Sequence, residues 1–203
     1  MEKVNYDKKF YDIVSTLRSK PNLLLHACCG PCSSYVLELL VKYFNITVLF
    51  YNPNIYPEEE YLKRKSELLK LLGFYKEVTI IDIDYLSDEF YKVINGLENE
   101  HEGGSRCSKC FMLRLKKTRD LALKYNFEYF GTTLTVSPHK NSQIINEIGS
   151  ILESDNLKFL YSDFKKNDGY KKSIENSKKY DLYRQDYCGC EFSKKERELK
   201  IKE

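Results

Sequence analysis

The sequence lacks three signals that would each assign it to a familiar class. No apolar run approaches the roughly 18 residues that a membrane-spanning helix needs. The charged start, residues 1–10, has no apolar core of a signal peptide. Neither of the two common nucleotide-cradling patterns, GxxxxGK[ST] and GxGxxG, occurs. We therefore expect a cytoplasmic protein that does not enter membranes and does not hold phosphate in either of these loops.

The composition leaves room for an ordinary hydrophobic core. A chain of 203 residues with 42% hydrophobic and 31% charged residues is typical of a globular domain. We expect one α/β domain over residues 1–203. Its seven cysteines are not needed as staples, and in a reducing compartment grouped cysteines more often bind metals or carry electrons than form structural disulfides.

Apolar segments of strand type alternate with amphipathic helical segments. Such alternation predicts a doubly wound parallel sheet of about five strands. The predicted strands are residues 23–26, 46–51, 78–83, 127–131 and 158–161. The predicted helices are residues 6–18, 33–44 with Ser33 or Ser34 as cap, 58–72, 86–97, 107–125 and 142–153. Residues 132–141 are expected to form a polar loop, and residues 162–203 a helical C-terminal extension with a break at 183–190.

In such sheets ligands bind at the carboxyl ends of the strands, where the strand order reverses. If the first and fourth strands are neighbours, the residues that follow them flank this point. The segments concerned are His26–Cys32 and Gly131–Thr133.

All seven cysteines fall into three short groups, which are HACCGPC at 26–32, CSKC at 107–110 and CGC at 188–190. In the first group Gly30 and Pro31 allow a tight turn that can aim several sulfurs at one point. Cys32 is expected in the first turn of a helix, where the helix dipole stabilises a thiolate. The grouping predicts a metal or redox site.

Two metal centres fit the first two groups. Cys107 and Cys110 are spaced i, i+3 and face the same way at a helix start. Four thiolates from two segments can hold a tetrahedral zinc ion or an iron–sulfur cluster. The adjacent Cys28 and Cys29 crowd a single zinc ion and favour a larger cluster or two neighbouring metals, with a zinc site as the alternative.

The third group, Cys188–Gly189–Cys190, predicts a different chemistry. Two sulfurs separated by one residue can close only a small, strained disulfide that is easily reduced. Such a pair can carry two electrons and two protons. The alternative is that both thiols are further metal ligands. Asp186, two residues before Cys188, is a candidate acid or ligand.

The C-terminal region also carries the positive charge of the chain. Residues 161–203 contain twelve Lys and Arg against nine Asp and Glu, interleaved with tyrosines 161, 170, 180, 183 and 187. Cations neutralise phosphates and aromatic rings stack on bases, so this pattern suits a nucleic acid. A solvated, lysine-rich helix face explains the same pattern. His139 and Lys140 of the polar loop are further candidates for holding phosphate.

Five blocks of sequence resemble the QueH-type epoxyqueuosine reductases. They are HACCGPCSS (26–34), YNPNIYPEEEYLKR (51–64), RCSKCF (106–111), FGTTLTVSPHKN (130–141) and YRQDYCGCEFS (183–193). The blocks occur in the family's order and cover most of the chain. Together they are far more specific than any one of them.

The resemblance implies a function. The family has a parallel-sheet fold of the HUP type and reduces the epoxide of epoxyqueuosine at the wobble position of certain tRNAs. It uses a 4Fe–4S cluster with a further iron beside it, and an electron donor that the sequence does not identify. The positions that match the family's cluster ligands are Cys28, Cys29, Cys107 and Cys110, and those that match its redox-active pair are Cys188 and Cys190. Cys32 stands where an aspartate can also occur, and either residue could bind the additional iron.

Two other functions remain compatible with the cysteine count. A general thiol–disulfide oxidoreductase would need no metal and would reduce protein disulfides. A zinc-stabilised tRNA-binding module would hold zinc and remain colourless. Neither explains the five matched blocks.

Overall fold

The computed structural model describes residues 4–202, and the side chains of residues 4–201. Met1–Lys3 and Glu203, the two ends of the predicted domain, lie outside the described residues. The elements, in chain order, are α1 Tyr6–Thr16, β1 Asn22–His26, α2 Gly30–Leu40, β2 Asn45–Phe50, α3 Glu58–Leu72, β3 Thr79–Asp82, α4 Ser87–Ile94, α5 Ser105–Lys124, β4 Tyr129–Thr132, a 3₁₀ helix Thr133–Val136, α6 Ser142–Leu152, β5 Lys158–Phe159, α7 Gly169–Lys179 and α8 Glu191–Lys202.

The five strands form one parallel sheet in the order β3-β2-β1-β4-β5. The predicted α/β class and doubly wound sheet are confirmed. β1 pairs with β2 on one side and with β4 on the other, so the strand order reverses between β1 and β4 as expected. His26, the last residue of β1, lies opposite Thr132, the last residue of β4. Ligand chemistry is therefore expected where these two strands end.

The central strand explains why helices cover both faces of the sheet. Leu23, Leu24 and Leu25 of β1 are completely buried, as in a strand that is covered on both sides. Leu23 and Leu25 pack into a cluster with α1, α2 and α3. Leu24 packs into a second cluster with α5 and α6. The period-2 alternation of a strand thus divides the core into two apolar layers.

Several predicted boundaries were wrong, and two of them lie next to the ends of β1 and β4. Ser33 and Ser34 do not cap the helix after β1, because α2 begins at Gly30 with Cys29 as its N-cap. Pro31 is compatible with this earlier start, since the first helical turn needs no backbone N–H there. The predicted polar loop at 132–141 begins instead with a buried 3₁₀ helix. Its threonines are satisfied internally, for example by the 2.9 Å hydrogen bond between the hydroxyls of Thr135 and Ser162.

The C-terminal extension is helical and interrupted, as predicted. α7 packs against α2, and Gly169 permits the close approach because a Cβ there would lie 2.6 Å from the Tyr35 ring. α8 is joined to α5 by the ion pair between Glu196 Oε1 and Arg106 Nη2, at 3.2 Å. No helix within residues 4–202 is both long enough and apolar enough to cross a membrane.

Candidate metal and redox site

The site begins with a buried histidine at the end of β1. His26 Nε2 lies 3.0 Å from the carbonyl oxygen of Tyr51, which can only accept, so Nε2 carries the proton and Nδ1 accepts from the Thr132 hydroxyl at 2.9 Å. Burial, followed by the nearby Arg114 charge, lowers the pKa of His26 to about 3. The ring is therefore neutral, and it ties together the ends of β1, β2 and β4.

Three cysteines follow directly and form one compact group, which we call the cysteine triad: Cys28, Cys29 and Cys32. Their sulfur atoms all lie within 4.8 Å of one another. The Sγ atoms of Cys28 and Cys29 are 3.8 Å apart, and the Cys32 amide donates to Cys29 Sγ at 3.4 Å. The turn sits tightly on α3, because a Cβ on Gly30 would lie 2.7 Å from the Glu67 carbonyl oxygen. The sulfurs converge as the sequence predicted.

The three thiols of the triad share little negative charge when no metal is present. Hydrogen bonds from Cys29 and Cys32 hold the pKa of Cys28 well below its usual value. Burial raises the pKa of Cys29 to about 12, and the hydrogen bond with Cys28 raises the pKa of Cys32. The triad thus favours one thiolate, and a second or third needs a cation, which is what a metal ion supplies.

The other four cysteines form a second group beside the triad: Cys107, Cys110, Cys188 and Cys190. Cys110 and Cys190 pack into the same apolar cluster as Phe90 and Ile94. Burial raises the pKa of Cys110 to about 12, and the charges of Cys188, Cys190 and Cys107 also raise it. These thiols are therefore close enough to influence one another's ionisation. The seven cysteines are all free thiols.

Each of the three cysteine segments of the sequence lies at or next to the N-terminal end of a helix. Cys29 caps α2 and Cys32 is in its first turn. Cys107 is in the first turn of α5, where its sulfur accepts from the Gly103 amide at 3.2 Å. Cys190 immediately precedes α8 and its sulfur accepts from the Ser193 amide at 3.4 Å. Burial is the larger effect and raises the pKa of Cys107 and Cys190 above the usual value, although the hydrogen bonds from the Gly103 and Ser193 amides lower it.

The Cys188–Cys190 segment is held in place from α3. Arg64, which is 2% exposed, donates from Nη1 to the Cys188 carbonyl oxygen at 3.0 Å. The Gly189 carbonyl accepts from the Tyr56 amide at 2.8 Å. Asp186 points away from this anchoring: its side chain is 62% exposed and lies 3.7 Å from Arg197 Nε. The structure places Asp186 near the site without a contact to a cysteine sulfur.

A cavity of about 450 Å³ joins the two cysteine groups to the surface. Cys32 of the triad and Cys188 of the second group both lie on its wall, and so does Lys140. Although burial opposes it, the charges of Cys188, Cys28 and Cys32 raise the pKa of Lys140, so its ammonium is retained. The other polar and aromatic lining residues include His139, Tyr170, Arg184, Gln185, Asp186, Tyr187, Arg197 and Lys200.

The five C-terminal tyrosines are not equivalent. Tyr170 and Tyr187 line the cavity. Tyr161 is 7% exposed and stacks on Tyr6 with ring centroids 5.9 Å apart. The rings of Tyr180 and Tyr183 contact Phe74 and Lys63, respectively. Of the five, Tyr170 and Tyr187 are therefore the ones available to a ligand in the cavity.

Sequence reasoning missed two cationic residues that the structure brings to the cysteines, Arg114 and Arg64. Arg114 is four residues after Cys110 on α5 and thus on the same helix face, a signal that was present in the sequence. Arg64 is 124 positions from Cys188, and no local pattern connects them. Burial is the larger effect and raises the pKa of Cys29 and Cys110, but the charge of Arg64 lowers the pKa of Cys29 and that of Arg114 lowers the pKa of Cys110.

Comparison with known proteins shows the family to which the chain belongs. The family model described as "Epoxyqueuosine reductase QueH" matches residues 23–196. A relative named epoxyqueuosine reductase QueH from Streptococcus pyogenes serotype M1 is 41% identical over 203 residues, covering 96% of this chain and 80% of the relative. Relatives of the same name from Staphylococcus epidermidis and Thermotoga maritima are 42% and 35% identical, covering 95% and 88% of this chain and 85% and 93% of the relatives. The chain belongs to the QueH family of epoxyqueuosine reductases.

Proposed function

We propose that this chain reduces epoxyqueuosine to queuosine in tRNA. The observation that carries the proposal is the cavity on whose wall Cys32 and Cys188 both lie. A substrate in this cavity would contact a candidate metal ligand and a candidate redox thiol at the same time. The names of the relatives support the same reaction.

The residues fit a thiolate-bound iron–sulfur centre. We propose that Cys28, Cys29, Cys107 and Cys110 hold a 4Fe–4S cluster and that Cys32 holds a further iron. Support comes from the donor set, since seven free thiols at three helix N-termini are the soft anionic ligands that such centres require. The buried guanidinium of Arg114, which has no carboxylate partner among residues 4–201, supplies a matching positive charge. When bound, the centre would supply electrons one at a time and a Lewis-acidic iron.

We propose that the Cys188–Cys190 pair supplies the two electrons and two protons that the reaction consumes. Conversion of the epoxide to an alkene breaks two C–O bonds, forms one C=C bond, consumes two electrons and two protons, and releases water. Oxidation of the two thiols to a disulfide provides two electrons and two protons. An external donor then reduces the disulfide for the next turnover. A disulfide across a single residue is of the labile type that such cycling needs.

The mouth of the cavity suits the modified base in its tRNA. Tyr170 and Tyr187 present aromatic surface on which a base can stack, while Arg184, Arg197 and Lys200 can neutralise phosphates. If these cations bind tRNA, affinity will fall steeply as salt is raised. A flat salt response would contradict tRNA binding by this face. The cytoplasm, where tRNA is modified and thiols stay reduced, is the proposed location.

The first test is to purify the protein without oxygen and to measure its visible spectrum and its iron and sulfide content. We expect a brown protein with about four or more irons per chain, which converts epoxyqueuosine-tRNA to queuosine-tRNA when supplied with a reductant. A colourless protein with one zinc ion and no turnover, even after reconstitution with iron and sulfide, would support the zinc-stabilised tRNA-binding module. Efficient reduction of protein disulfides by metal-free protein would support the general oxidoreductase.

A further inference from the structure

Three arginine side chains are almost completely buried in this structure, and one of them differs from the others. Arg64, Arg106 and Arg114 are each 2% exposed. Arg64 Nε pairs with Glu60 at 2.7 Å, and Arg106 Nη2 pairs with Glu196 at 3.2 Å. Arg114 has no carboxylate partner among residues 4–201. Its one hydrogen bond runs from Nε to the Cys110 carbonyl oxygen at 3.3 Å, and its Nη2 has no partner in that part of the chain.

Such an arrangement needs an explanation, because a buried charge is costly unless an opposite charge and hydrogen bonds compensate it. Glu89 belongs to α4, which packs against α5, but its carboxylate accepts from the Tyr51 hydroxyl and lies 3.9 Å from Lys117 Nζ. Among the described residues, the acidic groups whose charge would act on Arg114 are cysteine thiols, which become anionic when they bind a metal. The charges of Cys110, Cys188, Cys28 and Cys107 all act on its guanidinium.

Arg114 is therefore within electrostatic range of Cys28 in the triad and of Cys110, Cys188 and Cys107 in the second cysteine group. Its Nε donates to the backbone carbonyl of Cys110 in α5. This leaves Nη2 without a hydrogen-bond partner among the described residues. A guanidinium is well suited to the position, since it remains charged when buried and presents several N–H donors in one plane. Each of the other two buried arginines already uses its charge on a glutamate.

We propose that Arg114 is a positioning residue that provides the positive counter-charge for the metal–thiolate centre and donates a hydrogen bond from Nη2 to one of its sulfur atoms. This inference rests on the proposed function in one respect, since it takes the seven cysteines to hold a metal centre. A centre built from thiolates carries net negative charge with either metal. A fixed cation beside it stabilises the more reduced state and thus raises the reduction potential.

The test compares Arg114→Gln, Arg114→Lys and the control Lys116→Gln in the iron-loaded protein. Lys116 is on the same helix, its side chain is 58% exposed, and its replacement removes the same charge. In a redox titration followed by electron paramagnetic resonance, R114Q should change the ratio of reduced to oxidised centre at least tenfold towards the oxidised form, equivalent to about 59 mV for one electron. R114K keeps the charge but loses the fork, so it should shift the ratio by about threefold in the same direction. K116Q should leave it unchanged.

A second measurement does not depend on iron. Metal-free protein is titrated with Zn²⁺ in competition with a chromophoric chelator, and R114Q should weaken zinc binding at least tenfold whereas K116Q should not. If R114Q does not fold, R114K serves in both measurements, with a threefold change expected. A cluster-containing protein whose potential and zinc affinity are unchanged in the Arg114 variants overturns this proposal and leaves the reductase function standing. Wild-type protein without a cluster overturns the cofactor proposal, and the zinc titration then decides the role of Arg114.

Discussion

Arg64 Nη1 donates to the carbonyl oxygen of Cys188 across 3.0 Å, and the two residues are 124 positions apart in the chain. The same guanidinium uses Nε for the ion pair with Glu60 and lies over the Tyr187 ring with 5.0 Å between the guanidinium carbon and the ring centroid. One buried side chain thus fixes the Cys-Gly-Cys segment to α3. A thiol pair that must meet a substrate needs such fixed positioning.

We predict that Arg64→Met destabilises the protein and impairs its reductase activity. The substitution leaves Glu60, 11% exposed, without its partner and removes the donor from the Cys188 carbonyl. Loss of one partner of a buried ion pair costs about 3 kcal/mol. The free energy of unfolding from urea titrations and the steady-state rate of epoxyqueuosine reduction measure the two effects.

The matched control is Lys65→Met. Lys65 is the next residue on α3, and its ion pair with Asp82 is partly solvent-exposed. Pairs of this type contribute about 0.5 kcal/mol, so K65M should lower stability by no more than that and retain activity. Equal effects of the two substitutions would contradict a specific role for Arg64.

We predict that Gly189→Ala slows the reduction and oxidation of the Cys188–Cys190 pair more than its loss of stability alone explains. Gly189 has φ +142°, which non-glycine residues rarely adopt, and an added Cβ would lie 3.2 Å from both Arg64 Nη1 and Asn54 Nδ2. Backbone strain of this kind costs about 1–3 kcal/mol. We expect a similar loss in the free energy of unfolding, together with slower re-reduction of the enzyme between turnovers.

Gly96→Ala separates strain from crowding. Gly96 also has positive φ, at +81°, but a Cβ there would have no atom within 4 Å. G96A should therefore be destabilised by about 1 kcal/mol without any change in turnover. If G189A kept the wild-type turnover rate, the crowding of Arg64 would have no consequence for the thiol pair.

Much of the fold could be predicted from local patterns, because each strand and helix has its own signal. The continuous apolar run at Leu23–Leu25 identifies a strand buried on both faces. The helix at 58–72 was predicted with its observed bounds. The helix after β1 was misplaced because Cys29 acts as its N-cap, and cysteine is not among the residues on which cap prediction relies.

The candidate site was only partly predictable. The grouping of the cysteines along the chain located a candidate metal site, since Cys28, Cys29 and Cys32 come together within one turn. The two buried arginines were missed because an arginine in a helix is usually exposed. Their role depends on contacts made by the tertiary structure, and a single sequence carries no signal for contacts between distant residues such as Arg64 and Cys188.

We predict that the stability of the protein above pH 10 depends on Tyr61. Its ring packs between Phe50 and Tyr85, and burial raises its pKa from 10.0 to about 12. The unfolded chain loses this proton before the folded protein does, so the contribution is complete below pH 10 and is lost as the pH rises towards 12. The loss is about 1.4 kcal/mol per pH unit at most.

Tyr61→Phe isolates this contribution. The variant keeps the ring but loses the hydrogen bond to the Ile83 carbonyl. Because it cannot ionise at this position, its free energy of unfolding relative to wild type should rise by about 1 kcal/mol between pH 10 and pH 11. Urea unfolding of both proteins at pH 9, 10 and 11 measures the difference. Other tyrosines titrate equally in the two proteins and cancel. A difference that stays constant with pH would show that the hydroxyl ionises normally in the folded state.

We predict that Cys188→Ser allows a single turnover but prevents multiple turnovers. Serine is close in size to cysteine and should preserve the segment held by Arg64, but it cannot form a disulfide with Cys190. The variant should therefore keep the wild-type content of iron and sulfide, whereas its steady-state rate with excess epoxyqueuosine-tRNA should fall at least a hundredfold, an effect on the order of 2.7 kcal/mol. Iron content, single-turnover yield and steady-state rate are measured on the same anaerobic preparation, so each preparation is its own control. A loss of iron would instead make Cys188 a metal ligand, and an unchanged steady-state rate would exclude the thiol pair from the catalytic cycle.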